Sequence, residues 1–175
     1  MPAQDPPPFP SPTVRVVDVY PYRQRPSAEA SGAGASGALE FLVLQRAPGH
    51  AYAGTWRMVG GKIEIGERAW EAALREMREE TALAPLRFWA LPSVNAFYEW
   101  RRDTVALAPA FAAEVAADAE PVLDAEHTAW AWLPPAPAAE RLRWSEQRRL
   151  LRLAAEIVAS GGIVPDWEIQ IGDEA

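Results

Sequence analysis

Hydrophobic and polar positions along the chain follow two patterns, one with the period of a strand and one with the period of a helix. Runs rich in β-branched and aromatic residues predict strands at residues 13–22, 39–46, 86–91, 94–100, 104–114 and 128–133. Apolar residues at helical spacing predict one helix over 68–83 and a second over 145–159, which Gly161 and Gly162 terminate. A helix among strands, with another helix late in the chain, predicts an α/β or α+β domain with a mixed sheet.

The segments outside this pattern divide the chain into three parts. We expect a disordered proline-rich arm (1–12), one domain (13–160) and a tail (161–175). Prolines also cluster around 133–137, which we place outside the regular elements. Within the domain, 25–37 is small, polar and rich in glycine, which predicts a flexible surface loop. Through Trp167, Ile169 and Ile171 the tail could pair with a second copy of the chain or fold back on its own sheet, and the pattern leaves both open.

Charge and cysteine content exclude several functions for a chain that otherwise has ordinary globular composition. Its 175 residues are 49% hydrophobic, which is enough for the core of one domain. The net charge of −7 argues against binding of a nucleic-acid backbone, because such binding requires clustered Lys and Arg. The absence of cysteine excludes disulfides, thiolate metal sites and cysteine nucleophiles. Since no apolar run reaches about 18 residues and no secretory signal opens the chain, we expect a cytoplasmic protein that does not span a membrane.

Three glutamates on the first predicted helix carry the strongest chemical indication. Glu76, Glu79 and Glu80 are spaced i, i+3 and i+4, which places them on one helix face. Like charges so close destabilise a helix, and clustered hard oxygen donors suit Mg²⁺ or Mn²⁺. Arg75 lies one turn before Glu79 and can orient it. Taken alone, this pattern also fits a solvated surface helix with ion pairs, so the residues before it decide the interpretation.

The whole stretch resembles the Nudix box, G-x5-E-x7-R-E-U-x-E-E-x-G-U, where U is aliphatic. Five residues separate Gly61 from Glu67, seven more precede Arg-Glu-Met-x-Glu-Glu, and every charged position of the pattern is filled. Two departures are visible: Ala82 replaces the glycine, and Val59 stands where a proline often precedes the paired glycines. Because alanine disfavours a left-handed backbone, Ala82 bears on the shape of the helix exit. The resemblance extends over about 13–160 and implies a single-domain α/β/α sandwich around a mixed sheet.

The resemblance also implies an activity and a set of residues for it. Nudix hydrolases cleave a nucleoside diphosphate linked to another moiety by attack of water at a phosphorus. Carried over by position, the box supplies two main metal ligands (Glu79 and Glu80), a further ligand or base (Glu76), a ligating carbonyl (Gly60), a peripheral metal-side carboxylate (Glu67) and an orienting partner (Arg75). A polyphosphate and a carboxylate cluster repel each other unless divalent cations bridge them.

Many family members take one more glutamate from outside the box as metal ligand or general base. Glu126 is the preferred candidate, because it just precedes a predicted strand as in several members, and Asp124, Glu120 and Glu114 remain rivals. His127 is interpreted as a surface or structural histidine, since the glutamates already supply the base chemistry.

Substrate contacts are expected from basic and aromatic residues outside the carboxylate cluster. Arg46 and Lys62 are candidates for phosphate, and Phe97 and Trp100 for stacking on a base. The segment around Trp144 is similar to the group that hydrolyses dihydroneopterin triphosphate and dATP. The resemblance therefore implies a nucleoside or pterin triphosphate as substrate, with homodimers common in the family.

Rival functions on the same fold remain to be separated from hydrolysis. A catalytically weak module that binds a nucleotide to sense it is the main alternative, although such modules usually lose box carboxylates and this chain keeps them. An isomerase acting on isopentenyl diphosphate would resemble enzymes that use a catalytic cysteine, and this chain has none. An mRNA-decapping enzyme would need a basic surface for RNA, which the net charge of −7 disfavours.

Overall fold

The computed structural model describes residues 9–26 and 37–172 and shows a seven-stranded mixed sheet covered by helices on both faces. The strands are β1 (Ser11–Thr13), β2 (Asp18–Arg25), β3 (Ala38–Arg46), β4 (Trp56–Arg57), β5 (Arg87–Glu99), β6 (Thr104–Glu114) and β7 (His127–Leu133). The helices are α1 (Ala69–Thr81), α2 (Pro135–Arg141) and α3 (Ser145–Ala159). Both helices that the sequence predicts are present, and the second has the predicted bounds.

The sheet is built around two central strands, β3 and β6. Strand β6 pairs in parallel with β1 and β2 and antiparallel with β5, whereas β3 pairs antiparallel with β2, β4 and β7. Alternate residues of a strand face opposite sides of a sheet. Tyr20 and Tyr22 therefore enter a core with α2 and α3, and Val19 enters a second core with α1. The expected α/β/α sandwich with a mixed sheet is confirmed.

Three of the predicted strands have clearly different limits in the structure. The predicted strand 13–22 is interrupted after Thr13, because the next residues pair with the loop before α1: the Val17 N–H donates to the Gly61 carbonyl at 3.0 Å. The two strands predicted at 86–91 and 94–100 form one strand, β5. Pro92 falls in a bulge of β5 opposite β6, where a residue without an N–H interrupts the ladder but not the strand.

Two predictions that rested on proline are wrong. The prolines around 133–137 do not lie outside regular structure, because Pro135 and Pro137 fall in the first turn of α2. The N–H groups there have no partner within a helix, so proline is tolerated. The expected arm 1–12 is shorter, since Ser11 and Pro12 belong to β1. Residues 1–8 of that arm, and most of the expected loop 25–37, lie outside the described residues.

The described part of the tail packs against its own sheet. The rings of Trp167 and Trp89 stack with centroids 6.4 Å apart, and the Ile169 N–H donates to the Phe88 carbonyl at 2.9 Å. Of the two alternatives left open above, the structure shows the tail folded back along β5. Among the described residues, no helix is both long and apolar enough to cross a membrane.

Candidate functional site

The site is organised by a glycine turn that connects β4 to the segment before α1. The Val19 N–H donates to the Val59 carbonyl at 2.8 Å, which holds the turn against β2. Gly60 has a φ of 155°, and a Cβ added there would lie 2.2 Å from the Val17 carbonyl oxygen. Only glycine allows the two backbone segments to approach so closely. The turn is therefore fixed in position relative to the sheet.

The second glycine of the turn makes room for a carboxylate of α1. A Cβ on Gly61 would lie 2.2 Å from both the carboxyl carbon and Oε1 of Glu76. The Glu76 carboxylate thus rests directly on the Gly61 backbone. The paired glycines of the box are explained by this contact and by the approach of Gly60 to β2.

A cleft of about 850 Å³ opens beside the turn and collects residues from distant parts of the chain. Its charged lining residues are Arg46, Arg57, Lys62, Glu64, Arg75, Glu76, Glu80 and Glu126. They come from β3, β4, the loop before α1, α1 itself and the loop before β7. A negatively charged cluster and several cations therefore face one cavity, which suits a polyphosphate held together with a metal ion.

Arg75 gathers three of the predicted metal-site carboxylates around one guanidinium. Its Nε donates to Glu67 Oε1 at 2.9 Å, and its Nη1 donates to Glu76 Oε1 at 2.9 Å and to Glu79 Oε2 at 3.0 Å. The hydrogen bond from Arg75 lowers the pKa of Glu67. The guanidinium also donates to the Lys62 carbonyl at 2.8 Å, which ties α1 to the loop before it. We call Arg75 with these three glutamates the paired cluster.

Glu80 lies in a different environment on the same helix. It is 3% exposed, and its Oε2 accepts the Gly60 N–H at 3.1 Å. Burial raises the pKa of Glu80 to about 8, the charge of Arg57 opposes this shift, and the charges of Glu76 and Asp124 add to it. A carboxylate that is costly to ionise in the apo protein is one whose ionised form an added cation would stabilise.

Glu126, the candidate carboxylate from outside the box, lies in the cleft and pairs with Arg46, a candidate for binding phosphate. Arg46 Nη1 donates to Glu126 Oε2 at 2.5 Å. Burial acts to raise the pKa of Glu126, but the hydrogen bond and charge of Arg46 outweigh it and the pKa is lowered. Glu126 also lies near enough to Glu76 for its charge to help raise the pKa of Glu76, whose main cause is burial.

The three rivals of Glu126 do not line the cleft. The Asp124 carboxylate accepts the Glu126 N–H at 3.1 Å, Glu120 is exposed in a loop, and Glu114 accepts the Tyr22 hydroxyl at 3.3 Å. Asp124 therefore acts on the loop that carries Glu126.

Arg57 is a charged residue of the cleft that the sequence analysis did not identify. Its Nη2 donates to the Gly60 carbonyl at 2.8 Å, and its Nε donates to the Met58 carbonyl at 3.2 Å. Arg57 thus contacts the carbonyl that was expected to ligate a metal, which has a second lone pair free for another partner. Nothing in the sequence marks it, since an arginine before a glycine turn has no fixed role.

His127 also has closer contacts than its sequence position suggests. Its side chain is fully buried, its Nδ1 lies 3.0 Å from Asp124 Oδ1, and its Nε2 lies 3.9 Å from Glu80 Oε1. Burial lowers the pKa of His127 although Asp124 opposes the shift, so the imidazole is neutral at neutral pH.

The predicted ligands have the donor atoms that a divalent cation requires, but their side chains do not converge on a common point. Within residues 9–26 and 37–172, no three acidic or histidine side chains surround a common point closely enough to hold a metal ion. The reason is visible for three of the glutamates, whose oxygens are held by Arg75. The donors are nevertheless the hard oxygens that Mg²⁺ and Mn²⁺ prefer, and the buried Glu80 carboxylate forms no ion pair with Lys or Arg within the described chain.

The aromatic candidates for base stacking are not part of this cleft. Phe97 lies on β5 and Trp100 in the turn after it, and their side chains are exposed without lining the cleft. Their role in substrate binding stays a prediction.

Comparison with known proteins finds one matching family model and several related proteins. A family model described as the NUDIX domain matches residues 31–154. The octanoyltransferase of Myxococcus xanthus is 33% identical over 123 residues, which cover 65% of this chain and 31% of that protein. Nudix hydrolase 6 of Arabidopsis thaliana is 30% identical over 128 residues, which cover 67% of this chain and 42% of that protein. The chain spans less than half the length of these curated relatives.

A solved structure shares the fold over most of the chain. An Ap4A hydrolase from C. elegans superposes with a TM-score of 0.65 and 22% identity, covering 83% of this chain and 97% of that one. At this identity the likeness concerns the fold alone.

Proposed function

The chain belongs to the Nudix family, and from that premise we propose that it is a pyrophosphohydrolase dependent on Mg²⁺ or Mn²⁺. It cleaves a phosphoric anhydride bond of a nucleoside or pterin triphosphate, or of a related compound linked through a nucleoside diphosphate, by attack of water at phosphorus. The observation that carries the proposal is the placement of Glu76 and Glu80 against the glycine turn, in a cleft that also contains Arg46 and Lys62.

The carboxylates of the box hold the cation in this proposal. Glu79, Glu80 and the Gly60 carbonyl are the main ligands, Glu76 assists as ligand or base, and Glu67 lies at the periphery. A bound divalent cation stabilises charge that develops on the phosphoryl oxygens and acidifies water. Arg75 pairs with three of these glutamates, so its guanidinium holds the like charges together, and a cation that binds them would have to displace it.

The remaining cleft residues contact the substrate or accept a proton. Glu126 is the proposed general base, because it lies in the cleft near Glu76; Arg46 lowers its pKa and so weakens it as a base, and loss of Arg46 to a phosphate would strengthen it. Arg46 and Lys62 contact phosphate oxygens. Arg46 is paired with Glu126, so a phosphate that takes over Arg46 would also release the base.

Substrate class is proposed from the sequence and from what similar proteins are named for. The segment around Trp144 favours a pterin or purine triphosphate, and the structural neighbour named above is an Ap4A hydrolase. Phe97 and Trp100 are the proposed stacking residues. A small-molecule substrate, a cytoplasmic location and a homodimer remain predictions, and the net charge of −7 favours a partner other than nucleic acid.

The test is release of phosphate and pyrophosphate from a panel of substrates. The panel contains nucleoside triphosphates, oxidised nucleotides, dihydroneopterin triphosphate, dinucleoside polyphosphates and nucleotide sugars, each with Mg²⁺, with Mn²⁺ and with EDTA. Metal-dependent release from one class supports the proposal and names the substrate. Binding without release across the panel, by a folded protein with metal bound, favours the nucleotide-sensing alternative.

A further inference from the structure

A buried histidine beside the carboxylate site has one ring nitrogen without a hydrogen-bond partner. Asp124 Oδ1 lies 3.0 Å from His127 Nδ1 and also accepts the Glu126 N–H at 3.1 Å. An ionised carboxylate only accepts hydrogen bonds, so the ring proton of the neutral imidazole is on Nδ1. The lone pair of His127 then lies on Nε2, at the opposite side of the ring from Asp124.

That lone pair faces the Glu80 carboxyl group. Nε2 lies 3.9 Å from Glu80 Oε1, too far for a direct hydrogen bond. Among the residues that the structure describes, Nε2 has no hydrogen-bond partner, and the His127 side chain has no solvent exposure. A buried polar atom left unsatisfied costs stability. At 3.9 Å neither an ionised nor a protonated Glu80 carboxyl group satisfies Nε2, whereas a cation between Nε2 and an ionised Glu80 would satisfy both groups.

We propose that His127 Nε2 and Glu80 Oε1 are joint ligands of the divalent cation, which makes this a mixed nitrogen and oxygen site. The inference rests on the metal-dependent function proposed above and specifies the ligands of the same site. Two metal–ligand bonds of about 2.1 Å can bridge a separation of up to about 4.2 Å, which includes the separation observed. A metal-ligating histidine commonly donates its other N–H to a carboxylate that orients the ring, and Asp124 has that position.

The nearby charges leave room for a cation at this point. Arg57 and Arg46 are close enough to influence His127, but the first is bound to the Gly60 carbonyl and the second to Glu126. Within the described parts of the chain, the one hydrogen bond that Glu80 accepts is from the Gly60 N–H. Imidazole suits the later first-row transition metals best. The site therefore favours Co²⁺ over Mg²⁺ more strongly than an all-oxygen site does, and Mn²⁺ over Mg²⁺ to a smaller degree.

Electron spin echo envelope modulation of bound Mn²⁺ tests this ligand directly. Imidazole ¹⁴N coupling is expected in the wild-type protein, and labelling with ¹⁵N-histidine should convert it to the ¹⁵N pattern. The chain has two histidines, so His50→Gln is the matched control and should retain the coupling. This labelling leaves the site unaltered, so the result does not depend on whether a His127 variant folds.

The outcomes separate this inference from the proposed function. Bound Mn²⁺ without imidazole coupling, or coupling that disappears in His50→Gln, overturns the inference even if hydrolysis is observed. Mn²⁺ bound through His127 without hydrolysis of any substrate supports the inference and contradicts the proposed activity.

Metal affinity provides a second measurement. His127→Gln should weaken binding of Mn²⁺ and Co²⁺ at least about tenfold and Mg²⁺ less, by titration calorimetry, with an unfolding curve to check that the variant is folded. Equal weakening for the three ions, or none, overturns the assignment.

Discussion

Glu79 and Glu80 are neighbours with the same side chain, yet they lie in opposite environments. Glu79 belongs to the paired cluster, where its side chain is 57% exposed and contacts Arg75. Glu80 belongs to a buried pocket formed with His127 and Asp124, where its side chain is 4% exposed. One step along an α-helix rotates a side chain by about 100°, which here buries Glu80 in the wall of the cleft and leaves Glu79 exposed outside the cleft lining.

The two environments manage negative charge in different ways. In the paired cluster a guanidinium already compensates three carboxylates, so a metal ion must compete with Arg75. In the buried pocket burial raises the pKa of Glu80 to about 8, and among the residues that the structure describes no Lys or Arg forms an ion pair with it. A cation therefore gains most by binding at Glu80, and the paired cluster supplies further ligands only after it rearranges.

The largest effect is expected from removing either proposed main ligand. Glu79→Gln and Glu80→Gln should each lower kcat by on the order of 10²–10³-fold, because each removes a charge that holds the cation near the reacting phosphate. Steady-state kinetics with the identified substrate measure the loss, and circular dichroism checks the fold. A Glu79→Gln variant that remains active would contradict the assignment of Glu79 as a main metal ligand.

The carboxylate outside the box should have a smaller but clear effect. Glu126→Gln should lower kcat on the order of 10²-fold, because it removes the proposed base. The matched control is Glu120→Gln, which alters an exposed loop acid in the same region and should retain wild-type kcat. Equal kcat values for the two variants would leave the extra carboxylate unassigned.

The pH dependence of stability in EDTA distinguishes the buried pocket from the paired cluster. Below about pH 4.3, the usual pKa of an unfolded glutamate, Glu80 is protonated in both states. Between that value and its folded pKa of about 8, only the unfolded state releases the proton. Stability therefore falls as pH rises through this window, by at most about 1.4 kcal/mol per pH unit.

Glu80→Gln removes this titration, so its free energy of unfolding in urea should fall less with pH than that of the wild type. Glu79→Gln should keep the wild-type decline, since Glu79 is exposed and paired. Parallel profiles for the wild type and Glu80→Gln would contradict the buried, protonated state of Glu80.

The smallest effect concerns the end of the helix that carries both glutamates. Ala82 ends α1 with a left-handed φ of 55° and is exposed. Alanine is disfavoured there because its Cβ crowds the backbone. Ala82→Gly should raise the free energy of unfolding by about 1 kcal/mol with unchanged kcat, measured by urea denaturation and kinetics. A loss of stability would mean that unfolded-state entropy outweighs the relieved strain.

The sequence predicted structure well where it depends on residues close together in the chain. The apolar spacing of 145–159 predicted α3 with its observed bounds, and the glycine pair indicated the turn against which Glu76 lies. It failed at α2, because composition showed the prolines but not that they occupy a first helical turn. It also placed the end of the arm too late, since β1 forms by pairing with β6, about 90 residues away.

The sequence by itself determined the family and showed which glutamates lie together on α1, because a motif of fixed spacing specifies which residues share a helix. Only the tertiary structure decided their environments. Arg46 and Glu126 are 80 residues apart and meet because β3 ends beside the loop before β7. Likewise, His127 approaches Glu80, 47 residues earlier in the chain, because β7 pairs with β3. Burial and charge pairing depend on such long-range packing, so the pKa values and the orphaned nitrogen of the site could not be derived from spacing along the chain.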